Sequence, residues 1–130
     1  MNLLLDTHVL IWWLQNSPRL GSHARKAILQ SGRAAFISSV SIWEISIKSQ
    51  GNTVKLREPL RKHIPELIGQ GFRALPVTFE HALALQDLPA IHRDPFDRML
   101  VAQAQSEDLT IVTSDSAIEA YDVRTMDASD

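Results

Sequence analysis

The stretch Asn2-Leu3-Leu4-Leu5-Asp6-Thr7-His8-Val9-Leu10-Ile11-Trp12-Trp13-Leu14 changes character at Asp6. Before it stands a short continuous apolar run of strand length; after it, Thr7 to Leu14 reads as a helical segment. Such a strand-to-helix step is the opening of a βα unit. The same alternation continues down the chain. Strands are expected near Asn2–Leu5, Ala35–Ser38, Arg73–Val77, Thr110–Thr113 and Val123–Met126. Helices are expected at Thr7–Leu14, Ser22–Gln30 and Ser41–Gln50, with glycine closing the last two at Gly32 and Gly51. Pro59 and Pro65 bracket a short amphipathic stretch, Thr78 or Glu80 opens a helix that ends before Pro89, and Asp94-Pro95 begins the clearest helix, to about Glu107. The pattern predicts an α/β fold with a parallel sheet covered on both faces.

With 130 residues, 45% of them hydrophobic, one ordinary core is expected and two are not, so residues 1–130 read as a single domain. The chain has no cysteine, which removes disulfides and thiolate metal sites and makes a cytoplasmic address the expectation. The apolar start is broken at Asp6 and lacks a basic lead, unlike a signal peptide. A formal charge of -2 argues against strong non-specific nucleic-acid binding, although acids gathered around a cation would contribute to that balance. Lys48, Lys55, Arg57, Arg61, Lys62 and Arg73 form a basic interval opposed only by Glu58 and Glu66. It reads equally as a solvated face or as a phosphate track.

Ligands of open α/β sheets bind beyond the carboxyl ends of the strands, where loops and helix N-termini converge. Asp6 directly follows the first strand, and Asp115 follows Thr110–Thr113 by two residues. If those strands are parallel neighbours at roughly 4.8 Å, the two carboxylates reach one ion. Glu44 is expected in the first turn of a helix, where Ser41-x-x-Glu44 also reads as a capping box and Glu44 with Lys48 as an i,i+4 pair. In Asp94-Pro95-Phe96-Asp97, the reading assigns capping to Asp94 and ligation to Asp97, roles that can be exchanged if Arg98 pairs with one of them. Four acids just after strands or at helix starts make a metal site more economical than four separate caps. Oxygen ligands without a His pair suit Mg²⁺ or Mn²⁺, and phosphodiester hydrolysis uses such a site. No Ser-His-Asp or Cys-His grouping suggests a covalent intermediate.

Together, Leu4-Leu5-Asp6-Thr7-His8, Ser41-Ile42-Trp43-Glu44-Ile45-Ser46-Ile47-Lys48, His92-Arg93-Asp94-Pro95-Phe96-Asp97-Arg98-Met99-Leu100 and Ile111-Val112-Thr113-Ser114-Asp115 resemble PIN-domain ribonucleases, and within them the VapC-type toxins. The four blocks occur in order over nearly the whole chain. The resemblance implies a doubly wound sheet of order 3-2-1-4-5, a Mg²⁺- or Mn²⁺-dependent endoribonuclease, a homodimer, and a VapB-like antitoxin that blocks the acids with a basic or apolar segment. Carried over residue by residue, Asp6, Glu44, Asp97 and Asp115 are the metal and catalytic acids. Thr7 and Thr113 supply supporting hydroxyls, and Asp94 and Lys48 are supporting residues.

The rivals predict other residues. A receiver domain needs an acidic pair after its first strand and a lysine after its last; a haloacid-dehalogenase-like phosphatase needs a second aspartate where His8 stands. No GxxxxGK or GxGxxG element supports nucleotide binding. A catalytically silent PIN-like module that binds RNA or protein remains the alternative, and a DNA-directed nuclease a third reading. Adjacent residues of a helix point about 100° apart, so Trp12 and Trp13 cannot both point straight into the core, and the pair reads equally as partial burial of both or as one ring exposed on a dimer or antitoxin surface. His8, His63, His81 and His92 lack ligand spacing and are expected in capping, core or surface roles, with His8 the one to test because it sits beside Asp6.

Overall fold

The computed structural model describes residues Met1–Asp130. Five strands, β1 (Leu3–Leu5), β2 (Ala35–Ser38), β3 (Arg73–Leu75), β4 (Thr110–Thr113) and β5 (Thr125–Asp127), form one sheet of order β3-β2-β1-β4-β5. Every pairing is parallel. The helices are α1 (Thr7–Gln15), α2 (Ser22–Gln30), α3 (Ser39–Gln50), α4 (Leu60–Gly69), α5 (Phe79–Ala84), α6 (Pro95–Glu107) and α7 (Ser116–Glu119). From β1 the chain winds outward through β2 to β3, then returns to β4 on the other side of β1. The strand order therefore reverses at the crevice between β1 and β4, the place where such sheets receive ligands.

Burial on both faces explains why β1, at the centre of the sheet, is continuously apolar. Leu3, Leu5, Ala35, Ile37 and Val112 pack on one side with Val9, Leu10, Leu14, Ile28 and Leu67 from α1, α2 and α4. The alternate residues Leu4 and Ile111 pack on the other with Leu100, Val101, Ala104, Ile118 and Tyr121. The period of two thus divides one run, Leu3-Leu4-Leu5, between two cores. Truncating a fully buried leucine such as Leu4 to alanine costs about 2–5 kcal/mol.

Several boundaries differ from the sequence reading for local reasons. Strand β3 stops at Leu75 because Pro76 has no N–H for the ladder. Helix α4 runs through Pro65 to Gly69 instead of ending there, with the proline on its exposed side. Helix α3 starts at Ser39, with Ser38 as its cap accepting from the Val40 N–H at 3.0 Å. Gly32 has φ +64°, as a helix-closing glycine should, but Gly51 has φ −86° and needs no glycine. Trp12 and Trp13 are both partly buried beside the first core.

Candidate functional site

Asp6 and Asp115 stand at the carboxyl edge of β1 and β4. Asp97 lies close enough to interact with Asp6 and Glu44 through their charges, and of the four acids only Asp97 and Asp115 fall within one ligand-sized group. Asp6 ends β1 and caps α1: its Oδ1 accepts the Val9 N–H at 2.9 Å, and its Oδ2 accepts the Thr113 hydroxyl at 2.5 Å. Thr113 Oγ in turn accepts the Asp115 N–H at 3.0 Å, so one threonine fixes an acid on each strand. Asp6 is buried, and that burial is the chief reason its carboxyl lies above the usual range, against the bonds from Thr113 and Val9. Asp115 caps α7 through the Ala117 N–H at 2.9 Å.

Glu44 reaches the cluster by another route than the one expected. Because α3 begins at Ser39, Glu44 lies in its second turn, and the Ser41-x-x-Glu44 capping box does not form. Ser41 instead pairs its hydroxyl with that of Thr7 at 3.0 Å, tying α3 to α1. Glu44 is 2% exposed. Its Oε2 meets Lys48 Nζ at 2.7 Å, while Oε1 is buried without a hydrogen-bond partner. Leaving a carboxylate oxygen unsatisfied costs at least about 1–3 kcal/mol, so the chain retains an acceptor that its own groups do not use.

The N-terminus of α6 separates the two roles of its aspartates. Asp94 caps it, Oδ1 accepting from Phe96 N–H at 2.8 Å and Asp97 N–H at 3.4 Å. Asp97 is buried, and its carboxyl is pushed up to about 7, first by that burial and then by the charges of Asp94 and Asp6. Arg98 pairs with neither; it donates to Pro89 O at 2.9 Å and to the Tyr121 hydroxyl at 3.2 Å.

The residue that sequence reasoning missed is His92. Its Nε2 lies 2.9 Å from Asp115 Oδ2 and 3.0 Å from Asp97 Oδ2, and these three groups offer ligand atoms within 4.8 Å of one another. Nδ1 accepts the Asp94 N–H at 3.2 Å, which places the ring proton on Nε2, facing the acids. Burial opposes a charged ring, but the bond to Asp115 and the charges of Asp97, Asp115 and Asp94 outweigh it and raise its basicity. The same bond, against burial, holds the Asp115 carboxyl below its ordinary range. The only signal in the sequence was a histidine two residues before a capping aspartate. His8, singled out instead, is exposed; its charge reaches Asp6, but its ring is not among the three grouped ligand atoms. The basic interval does not line the site as a unit. Lys48 is held by Glu44, Arg73 stacks over Phe36, and Lys55, Arg57 and Arg61 line a separate cleft between α3 and α4.

A doubly wound parallel sheet with carboxylates from separate segments gathered near its switch point defines the class of open α/β proteins that receive ligands at that edge. A model of the PIN domain matches residues 3–124, and the chain belongs to that family. It is similar to Ribonuclease VapC22 of Mycobacterium tuberculosis (strain ATCC 25618 / H37Rv), with 27% identity over 120 residues, 92% of this chain and 91% of that one. Its fold matches the DNA-bound VapBC structure from Salmonella typhimurium at a TM-score of 0.74 and 20% identity, covering 98% of each chain. It also matches VapBC2 from Rickettsia felis, bound to a DNA fragment from their promoter, at a TM-score of 0.73 and 11% identity, covering 97% of this chain and 98% of that one.

Proposed function

We propose that this protein is a Mg²⁺- or Mn²⁺-dependent endoribonuclease and the toxin of a toxin–antitoxin pair, with Asp6, Glu44, Asp97 and Asp115 as its metal-binding and catalytic acids. The observation that carries the reading is the gathering of buried carboxylates: Asp97 is pushed up to about 7, first by its burial and then by the charges of Asp94, Asp6 and Glu44, and Glu44 Oε1 has no partner. Hard oxygen donors in that state fit a divalent cation. When bound, the cation supplies charge neutralisation, polarisation of a phosphoryl oxygen and a more acidic water.

The chain's own residues prepare the site. Thr113 and the Val9 N–H hold the Asp6 carboxylate in one orientation. Lys48 engages one oxygen of Glu44 and leaves the other for a ligand. His92 holds a proton on Nε2 between Asp97 and Asp115 and keeps these two acids together. Thr7 supports the site through Ser41, by fixing α3 against α1.

The proposed assembly is a homodimer acting in the cytoplasm and silenced by a VapB-like antitoxin. That partner is suggested by the relatives whose structures are VapBC complexes. No helix of the chain is long and apolar enough to cross a membrane. All four acids are present, so no observation favours the silent binding module. The test is cleavage of a mixed RNA pool by antitoxin-free protein with Mg²⁺ or Mn²⁺, beside EDTA and Asp6→Asn controls, with single-stranded DNA in parallel. RNA cutting that disappears in both controls is expected. Folded wild-type protein as silent as the variant would refute the nuclease reading.

A further inference from the structure

At the far end of α1 from Asp6, a second polar site lies between α1, α2 and α4. A cavity of about 170 Å³ is lined by Trp13, Asn16, Arg25, Arg57, His63 and Glu66, among others. Nine residues of helix at 1.5 Å each set it about 13 Å from the acids along the helix axis. Two features mark the cavity. His63 is 1% exposed, yet neither ring nitrogen makes a hydrogen bond; Glu66 Oε2 stands 3.6 Å from Nδ1, beyond bonding reach. Arg25 and Arg57 form no ion pair with any carboxylate.

Part of each arginine has a structural use. Arg57 Nε donates to the Leu14 carbonyl at 2.9 Å, and an Arg25 terminal nitrogen approaches the Ser17 carbonyl at 3.4 Å while its guanidinium lies over the Trp13 ring. These contacts satisfy carbonyls at and just beyond the C-terminus of α1, where cations are favoured. They use one of five N–H groups on each guanidinium. Arg57 is exposed, and its two terminal nitrogens make no hydrogen bond within the protein. One carboxylate, Glu66, stands against two permanent positive charges, and it is half exposed.

We infer that this cavity is a binding site for a small oxyanion of phosphate size, held by Arg25 and Arg57 beside the buried His63 ring. The volume accepts a phosphate or carboxylate group and excludes a whole nucleotide. Guanidinium forks match the oxygen spacing of both anions. The inference uses no part of the acidic cluster.

The test is a titration of the intact protein with inorganic phosphate in EDTA, at constant pH and ionic strength, following the histidine ring protons by NMR. Sodium acetate is titrated in parallel. His63 resonances are expected to move along a saturable curve with at least one of the anions, while those of exposed His8 and His23 do not. Saturation by phosphate alone identifies a tetrahedral anion as the ligand, and saturation by acetate alone a carboxylate. Arg25→Gln and Arg57→Gln should each weaken binding about tenfold or more, with Arg57→Lys intermediate. An unsaturable or absent shift of His63 with both anions overturns the inference, whatever the folding of the variants. So does binding that is undiminished in folded Arg25→Gln and Arg57→Gln proteins. Because RNA and divalent cations are absent, failure here leaves the nuclease reading as it stood.

Discussion

The two ends of α1 carry opposite charge. At its N-terminus, Asp6 joins Asp97, Asp115 and Glu44, and burial first, then repulsion between acids, pushes the carboxyls of Asp6 and Asp97 up. At its C-terminus, Arg25 and Arg57 meet a buried histidine with no bonded partner. The helix dipole favours this distribution, acids at the start and cations at the end, but only by about 0.3–1 kcal/mol per group. Such a term decides where a lone charge rests on a helix. It is too small to offset several buried carboxylates, so the acid end carries a stability cost that function must explain. The basic end is closer to balance, since helix carbonyls already take up part of each guanidinium.

The largest expected effect separates activity from stability at the acid end. Asp97→Asn should lower RNA cleavage by about a hundredfold or more, because a metal-binding carboxylate is lost. The same change should leave the cation-free melting temperature unchanged or raised, since it removes a charge that its neighbours repel. Parallel activity and thermal-melt measurements check this. A large loss of stability would mean that Asp97 is chiefly a structural residue.

A middle-sized effect concerns pH. Asp97 ordinarily titrates near 3.8 and is pushed up to about 7 in the fold. Between those values the folded chain keeps a proton that the unfolded chain releases. Its contribution to stability is therefore full below 3.8 and is lost as pH rises through about 7. A divalent cation competes with that proton, so Mn²⁺ should raise the melting temperature more at pH 8 than at pH 5.5. Equal shifts at the two pH values would break the link between cation and carboxylate cluster.

The smallest effect tests the basic end without a ligand. His63→Leu removes two nitrogens that make no hydrogen bond, so stability in phosphate- and acetate-free buffer should change by less than about 1 kcal/mol. Denaturant unfolding reads this directly. A loss of about 2 kcal/mol or more would show that the ring is already satisfied, and would make the two ends of α1 less alike in having spare polar capacity.

Much of the architecture was readable before any coordinates. Leu3-Leu4-Leu5 and Thr110-Ile111-Val112-Thr113 are short apolar-rich runs because both faces of a parallel sheet are covered, and a change of period at Asp6 announces the βα step. The acids after β1 and β4 were legible because a parallel sheet places all its strand ends at one edge. Asp94 was legible as a cap because a following proline at the first helical position is a local signal with a local cause.

Propensity, capping and period act over a few residues, so the element pattern and the position of acids along it are written locally in the chain. Which polar atoms meet depends on long-range packing. It placed Glu44 through a turn of α3 that starts two residues earlier than expected, brought His92 between Asp97 and Asp115, and left Arg98 on a carbonyl and a tyrosine. It also joined Arg25, Arg57 and His63, which lie on different segments of the chain. Those meetings depend on the packing of helices against a sheet over long sequence separations, and side-chain reach of a few ångströms turns a small shift in that packing into a different partner.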